Sequence, residues 1–172
     1  SASVPQHVLI AADRGQDVEW RLVDAVAGSS SPLGSAPADA ELWALDDGPG
    51  DFYFAAGNDV WRGNWRSGVS APQRLASRPA STGTVHAAWI DTGDGALHAL
   101  EMRQPTPAEA KGMKAEPPDA RPYWAVLWRL DQGAWSMVAR RATSWGSDGS
   151  LGPGVFDDLR RERGRSARAL DD

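Results

Sequence analysis

The 172-residue chain contains no cysteine, which excludes disulfide bonds, thiolate metal sites and cysteine nucleophiles. Its only lysines are Lys111 and Lys114, so arginine supplies the other 16 of the 18 basic residues. No apolar run approaches the length of about 18 residues that a membrane-spanning helix needs, and we expect no membrane span. The net charge is −5 and no basic face is apparent, which argues against nucleic acid as a partner.

Sequence signatures of catalysis are also scarce. The chain has no Gly-x-Ser-x-Gly nucleophile motif, no phosphate-binding loop and no dinucleotide-binding fingerprint. Glutamate is infrequent, and no pair of carboxylates stands out for glycoside hydrolysis. We therefore expect no enzyme activity and name no catalytic residue and no resident cofactor.

The chain is rich in tryptophan, glycine and proline, with 9, 18 and 12 residues respectively. Its hydrophobic share of 41% and charged share of 24% are typical of globular proteins. A chain of this length can bury roughly 70% of its unfolded surface. We expect a single domain spanning residues 1–172.

One short pattern recurs every 33 to 45 residues: an apolar stretch, then Asp-x-Gly, then a second apolar stretch. The four turns are Asp13-Arg14-Gly15, Asp46-Asp47-Gly48, Asp91-Thr92-Gly93 and Asp131-Gln132-Gly133. The Asp side chain accepts a hydrogen bond from the backbone two residues on, and Gly takes the positive φ that closes the turn. The flanks are rich in Val, Trp, Phe and Leu, which favour strands. The pattern predicts four antiparallel hairpins, or about eight strands, and a fifth turn at Gly57-Asn58-Asp59.

The clearest hairpin pair predicts one four-stranded unit. Its strands are Val85–Asp91, Ala96–Met102, Tyr123–Leu130 and Ala134–Ala139. This unit resembles a blade of the sialidase-like and related bacterial β-propellers. The resemblance implies an all-β fold of propeller-like blades. Ser147-Asp148-Gly149-Ser150 begins like a sialidase Asp box but lacks the tryptophan that follows there, and the arginine triad has no counterpart, so no catalytic residue carries over.

Two other architectures use the same hairpins. One is an up-and-down barrel or a sandwich, and the other is an oligomer that completes a propeller ring. The remaining segments read as loops at Ser29–Ala40 and Arg74–Thr84, and as an inserted loop over residues 104–122. Within that insertion, Thr106-Pro107-Ala108-Glu109 is a capping box that starts one helical turn. The tail, residues 155–172, is expected to hold a short C-terminal helix.

The best candidate for a binding surface is the segment Asp59–Arg66. Trp61 and Trp65 are four residues apart, and so are Arg62 and Arg66. The neighbouring residues are polar, so no apolar neighbours indicate that the two rings belong to a core. Exposed Trp and Arg are enriched at interface hot spots, and Trp also stacks on sugars. Trp145, also among polar residues, joins these four as a candidate.

Histidine and aspartate offer a weaker metal hypothesis. Asp91 with Asp94 is the best calcium candidate, although Ca²⁺ takes six to eight oxygen ligands. His86 and His98 lie on partner strands of one hairpin, and whether they share a face depends on its register. Turn chemistry and ordinary strand histidines are the favoured explanations of these residues.

Together these features favour a non-enzymatic binding domain of an exported bacterial protein, periplasmic or secreted, that recognises another protein as an immunity protein or inhibitor does. The chain begins at Ser1 rather than Met, which fits a processed exported product. One alternative is a carbohydrate-binding module that uses exposed Trp, and another is a fragment of a larger propeller enzyme. The expected partner is therefore a protein or a glycan, and an oligomer is possible.

Overall fold

A computed structural model describes residues 7–46, 48–67, 71–79, 83–91, 93–114 and 120–145. Strands make up 66% and helix 3% of the structure, in three antiparallel sheets. The all-β prediction is therefore confirmed. The tail at 155–172 and the segment Ser147–Ser150 lie outside the described residues.

The chain is divided into two compact units, Ser1–Arg78 and Pro79–Asp172. The expectation of one domain over 1–172 stays a prediction, and each unit is described by itself.

The first unit contains two sheets. The three-stranded sheet has the order β1-β2-β3, with β1 His7–Asp13, β2 Asp17–Asp24 and β3 Ser29–Pro37. The four-stranded sheet has the order β4-β5-β6-β7, with β4 Glu41–Asp46, β5 Asp51–Ala56, β6 Asp59–Asn64 and β7 Gln73–Ser77.

Strands β3 and β7 correct the sequence analysis, which assigned Ser29–Ala40 and Arg74–Thr84 to loops. The serines and prolines of β3 have low strand propensity, but the segment pairs along the whole of β2 and buries Leu33 and Ala36 in the core. Tertiary pairing overrides local preference here. The prolines are tolerated because β3 is an edge strand.

Aromatic rings fill the core of this unit. The Trp20 ring lies 5.6 Å from that of Phe52 and 5.3 Å from that of Phe54, centroid to centroid. Gly63 is the cross-strand partner of Phe52, and a Cβ at Gly63 would collide with the Phe52 ring. The glycine therefore makes room for a ring that joins the two sheets.

The second unit is one sheet of order β8-β9-β10-β11. Its elements are β8 Thr84–Ile90, β9 Leu97–Arg103, helix α1 Pro107–Ala110, β10 Arg121–Asp131 and β11 Ala134–Trp145. These strands agree closely with the four-stranded unit predicted from sequence. The core cluster of the sheet is Ala87, Trp89, Leu100, Met102, Ala125 and Leu127.

The inserted loop begins as its capping box predicts. The Thr106 hydroxyl accepts a hydrogen bond from the Glu109 backbone N–H, and the Glu109 carboxylate accepts one from the Thr106 N–H. The single helical turn α1 follows directly.

Each strand pairs with the strand next to it in the chain, so all three sheets are open meanders. No closed barrel is present among the described residues, which counts against the barrel alternative. The described residues form eleven strands, whereas eight were expected. No helix in the described part of the chain has the length and apolar character needed to cross a bilayer.

Three of the four predicted turns use the Asp carboxylate as expected. Asp13, Asp46 and Asp91 each accept a hydrogen bond from the backbone N–H two residues on. The fourth turn differs, since Gln132 (φ 49°) and Gly133 (φ 82°) both take left-handed backbone conformations. This is the backbone of a two-residue type I′ hairpin.

The β10–β11 turn gives a direct test of the fold. Gly133→Val should lower the free energy of unfolding by at least about 1 kcal/mol, because a β-branched residue resists positive φ. Gln132→Asn is the matched control and should be neutral or stabilising, because Asn tolerates this conformation better than Gln. Urea unfolding measures both, and a neutral Gly133→Val would contradict the turn.

Candidate functional site

The two tryptophans of the candidate binding segment face the core of the first unit. Trp61 is half-buried and its ring is nearly parallel to that of Phe54, with centroids 6.4 Å apart and planes at 8°. Trp65 is also half-buried and packs against the same core cluster. Much of both ring surfaces is therefore occupied within the protein.

The two arginines of that segment, Arg62 and Arg66, are exposed. Arg62 is exposed on the strand position next to Trp61, and its guanidinium donates to the Gln73 side chain at 3.4 Å. Its cross-strand partner is Tyr53, whose pKa is raised first by burial and then by the charge of Asp51. Arg66 lies past the end of β6, where its side chain covers Gly50.

The four residues thus do not form one continuous surface: the tryptophans pack on the core, and Arg62 lies beside Tyr53. Trp145 ends β11 in the second unit, and its side chain is outside the described part of the structure. Whether any of the five binds a partner stays a prediction.

The β8–β9 hairpin brings together the calcium candidates and one histidine. Ligand atoms of Asp91, Asp94 and His98 all lie within 4.8 Å of one another. The register pairs His98 with Trp89, as a hairpin centred on Gly93-Asp94 predicts, and their rings stack with centroids 5.9 Å apart. His86 is the residue skipped by the register shift between Val85 and Ala87, and it does not belong to this group.

A basic residue borders the same group. Arg129 on β10 is the cross-strand partner of His98. Its Nε lies 3.0 Å from Asp94 Oδ2, and its Nη1 lies 3.4 Å from Asp131 Oδ2. The hairpin end therefore carries three acidic residues, one imidazole and one guanidinium.

Glu101 is a buried acid that the sequence did not single out. It is fully buried on β9, and its Oε2 accepts a hydrogen bond of 2.6 Å from the Trp128 indole N–H. Its Oε1 has no hydrogen-bond partner among the described residues. The only signal in the sequence for this contact is that Glu101 is an acidic residue within the mostly apolar run from Leu97 to Met102.

Helix α1 places a second acid over the sheet. Glu109 Oε1 lies 3.6 Å from the Arg103 guanidinium and 3.5 Å from that of Arg140. The Thr106 backbone N–H, and to a smaller extent Arg103, hold the pKa of Glu109 below its ordinary value. Arg140 also lies over the Trp124 ring, 4.1 Å from its centroid. These contacts anchor the start of the inserted loop to the sheet.

Strands β1 and β11 each carry two exposed large apolar side chains, Val8 and Ile10 on β1 and Met137 and Val138 on β11. Val8 and Ile10 are 42% and 39% exposed, and they alternate along the strand so that both lie on one face. Among the described residues β1 pairs with β2 alone, so β1 is an edge strand of its sheet in that part of the chain.

Comparison with known proteins gives no relative: no family model, curated protein or solved structure matches the chain.

The packing of Trp61 leads to a stability prediction. Trp61→Ala should lower the free energy of unfolding by about 2 kcal/mol or more, because it removes a ring packed on Phe54. Arg62→Ala, one position along the same strand, should change it by less than about 0.5 kcal/mol. Thermal and urea unfolding measure the pair, and equal effects would contradict the assignment of the two faces.

Glu101 leads to a second prediction. Glu101→Ala should destabilise the protein by about 2 kcal/mol, because it leaves a cavity and an unpaired indole N–H. Glu101→Gln keeps an acceptor for Trp128 and removes a buried charge, so it should match the parent or exceed it by up to about 1 kcal/mol. Strong destabilisation by both changes would show that the carboxylate charge itself is required.

Proposed function

We propose that this protein is a non-catalytic binding domain whose partner is another protein, and that the partner adds a strand to the free edge of β1. Strand addition is a general mode of recognition in which backbone hydrogen bonds supply affinity and alternate side chains supply specificity. The observation that carries the proposal is the unprotected character of the β1 edge.

Natural proteins protect the edges of their sheets with charges, prolines and bulges. The other edge strands follow this rule: β3 contains Pro32, β4 and β8 have register shifts, β7 contains Arg74, and β11 contains Arg140. Strand β1 pairs with β2 in unbroken register, and its segment Val8–Ala12 contains neither charge nor proline.

The charges around this edge indicate the kind of strand that it accepts. Strands β1 and β2 with their turn contain Asp13, Asp17, Glu19 and Asp24 against two arginines. Asp13 and Asp17 are exposed at the turn end. A partner segment with alternating apolar residues and basic flanks complements this surface, and the net charge of −5 favours encounter with a basic protein.

The two successive four-stranded meanders support propeller-like blades. We retain an exported bacterial protein as the biological setting of this proposal. The carbohydrate alternative depends on exposed tryptophan, and Trp61 and Trp65 are half-buried, so no observation favours it. The experiment below distinguishes binding of a different protein from an oligomer of this chain that completes a propeller ring.

Site-specific photocrosslinking in the source cells tests the proposal. A benzophenone amino acid replaces Ile10 on β1, or Val26 in the β2–β3 turn, which is 81% exposed and serves as the matched control. We expect a discrete adduct with a second protein from position 10 and none from position 26. Adding Val8→Lys should remove most of that adduct, because lysine protects an edge, whereas Val26→Lys should not.

Two results would contradict the proposal. Adducts of equal yield from positions 10 and 26 would mean that β1 is not a specific surface. An adduct with the mass of two copies of this chain would show that β1 binds a second copy of the chain and not a different protein.

A further inference from the structure

The β8–β9 hairpin end of the second unit carries a feature that partner recognition does not use. Its two aspartates and one histidine converge at a spacing suited to metal coordination, with ligand atoms within 4.8 Å of one another. We propose that Asp91, Asp94 and His98 bind one divalent transition-metal ion of the Zn²⁺ type.

The histidine is held in the form that a metal requires. His98 is 1% exposed, and its Nδ1 lies 3.0 Å from the carbonyl oxygen of Ala96. A carbonyl only accepts, so Nδ1 carries a hydrogen and Nε2 is the ring nitrogen that would bind the metal. A backbone carbonyl bonded to the other ring nitrogen is the usual support of a metal-binding histidine. Stacking on Trp89 further fixes the plane of the ring.

The hairpin turn orients the two carboxylates. Asp91 Oδ1 accepts from the Gly93 N–H at 2.8 Å, and Asp94 Oδ1 accepts from the Ala96 N–H at 3.0 Å. Each carboxylate has a second oxygen, and Asp91 is 4% exposed.

The other hairpins show that this arrangement is not a general property of the turn. Asp13 and Asp131 also precede hairpin turns but are exposed, and Asp46 is half-buried. None of these three belongs to a group of metal-ligating side chains among the described residues.

Arg129 competes with the ion for Asp94. Donor atoms around one zinc ion lie roughly 3.3 to 4 Å apart, since each is about 2.0 to 2.1 Å from the metal. The group must therefore close by up to about 1.5 Å on binding, and the Asp94 side chain achieves this by leaving Arg129. The guanidinium keeps its contact with Asp131.

The donor set favours zinc over calcium. An imidazole nitrogen is a ligand for Zn²⁺ and similar transition metals, whereas Ca²⁺ takes six to eight oxygens. The calcium prediction for Asp91 and Asp94 did not include this nitrogen. Three protein ligands leave a fourth tetrahedral position for water or for a donor from another molecule.

Titration with ZnCl₂ alone tests the proposal, by calorimetry and by NMR of the histidine side chains. The chain has only three histidines, so their ring signals are easily resolved. We expect one equivalent of Zn²⁺ to move the Nε2 signal of His98 and leave those of His7 and His86 in place. CaCl₂ should bind much more weakly.

Four variants sharpen the test. Asp91→Asn and Asp94→Asn each keep an oxygen that accepts the turn hydrogen bond, and each should weaken Zn²⁺ binding by about tenfold or more. Asp13→Asn changes the same kind of turn in the first unit and should leave binding unchanged. Arg129→Gln removes the competitor and should tighten binding several-fold.

Several outcomes would overturn the proposal. They are a His98 signal that ZnCl₂ does not move, Zn²⁺ affinity in Asp94→Asn equal to that of the parent, equal affinity for Ca²⁺, and weaker binding in Arg129→Gln. Asp94 is exposed, so its variant remains informative even if Asp91→Asn fails to fold.

Discussion

The structure depends on one constraint: every strand forms its backbone hydrogen bonds with the strand that precedes or follows it in the chain. Most of these strands are joined by a turn that reverses the backbone within a few residues, whereas residues 104–120 join β9 to β10. At three of the turns, the side chain of Asp13, Asp46 or Asp91 accepts a hydrogen bond from a backbone N–H. Because the turns fix the register, they also decide which side chains reach the core.

The same constraint determines where polar chemistry collects. A meander places its turns at the ends of its sheets, so the acids that form turns meet whatever the neighbouring strands present there. In the second unit the neighbour is His98, brought to the turn by its pairing with Trp89. A meander also leaves two edges per sheet. Among the described residues, five of these six edge strands are protected, and the sixth, β1, is the apolar strand for which we propose partner binding.

The sequence predicts the elements whose local signals agree with their tertiary pairing. The four Asp turns, the β8–β11 unit and the capping box at Thr106 are of this kind. Strand β3 is not predictable from its serines and prolines, because its conformation is imposed by β2. The exposure of Trp61 was inferred from polar sequence neighbours, but a strand sends alternate side chains to opposite faces, and its ring packs on Phe54.

The candidate sites divide in the same way. Asp91 and Asp94 are visible in the sequence because they belong to the turn, whereas the third member, His98, depends on the hairpin register. Glu101 was not predictable, because its contact with Trp128 joins residues on separate strands across a 27-residue separation. Long-range contacts of this sort carry no local pattern.

The free edge of β1 is the feature on which the functional account depends most. Amide hydrogen exchange of the isolated protein, followed residue by residue, measures it directly. In an antiparallel edge strand alternate N–H groups have no partner strand. The account therefore predicts fast exchange at every second residue of His7–Asp13 and protection throughout the paired residues of β2. Uniform protection along β1 would mean that its edge is already covered, and would contradict the account.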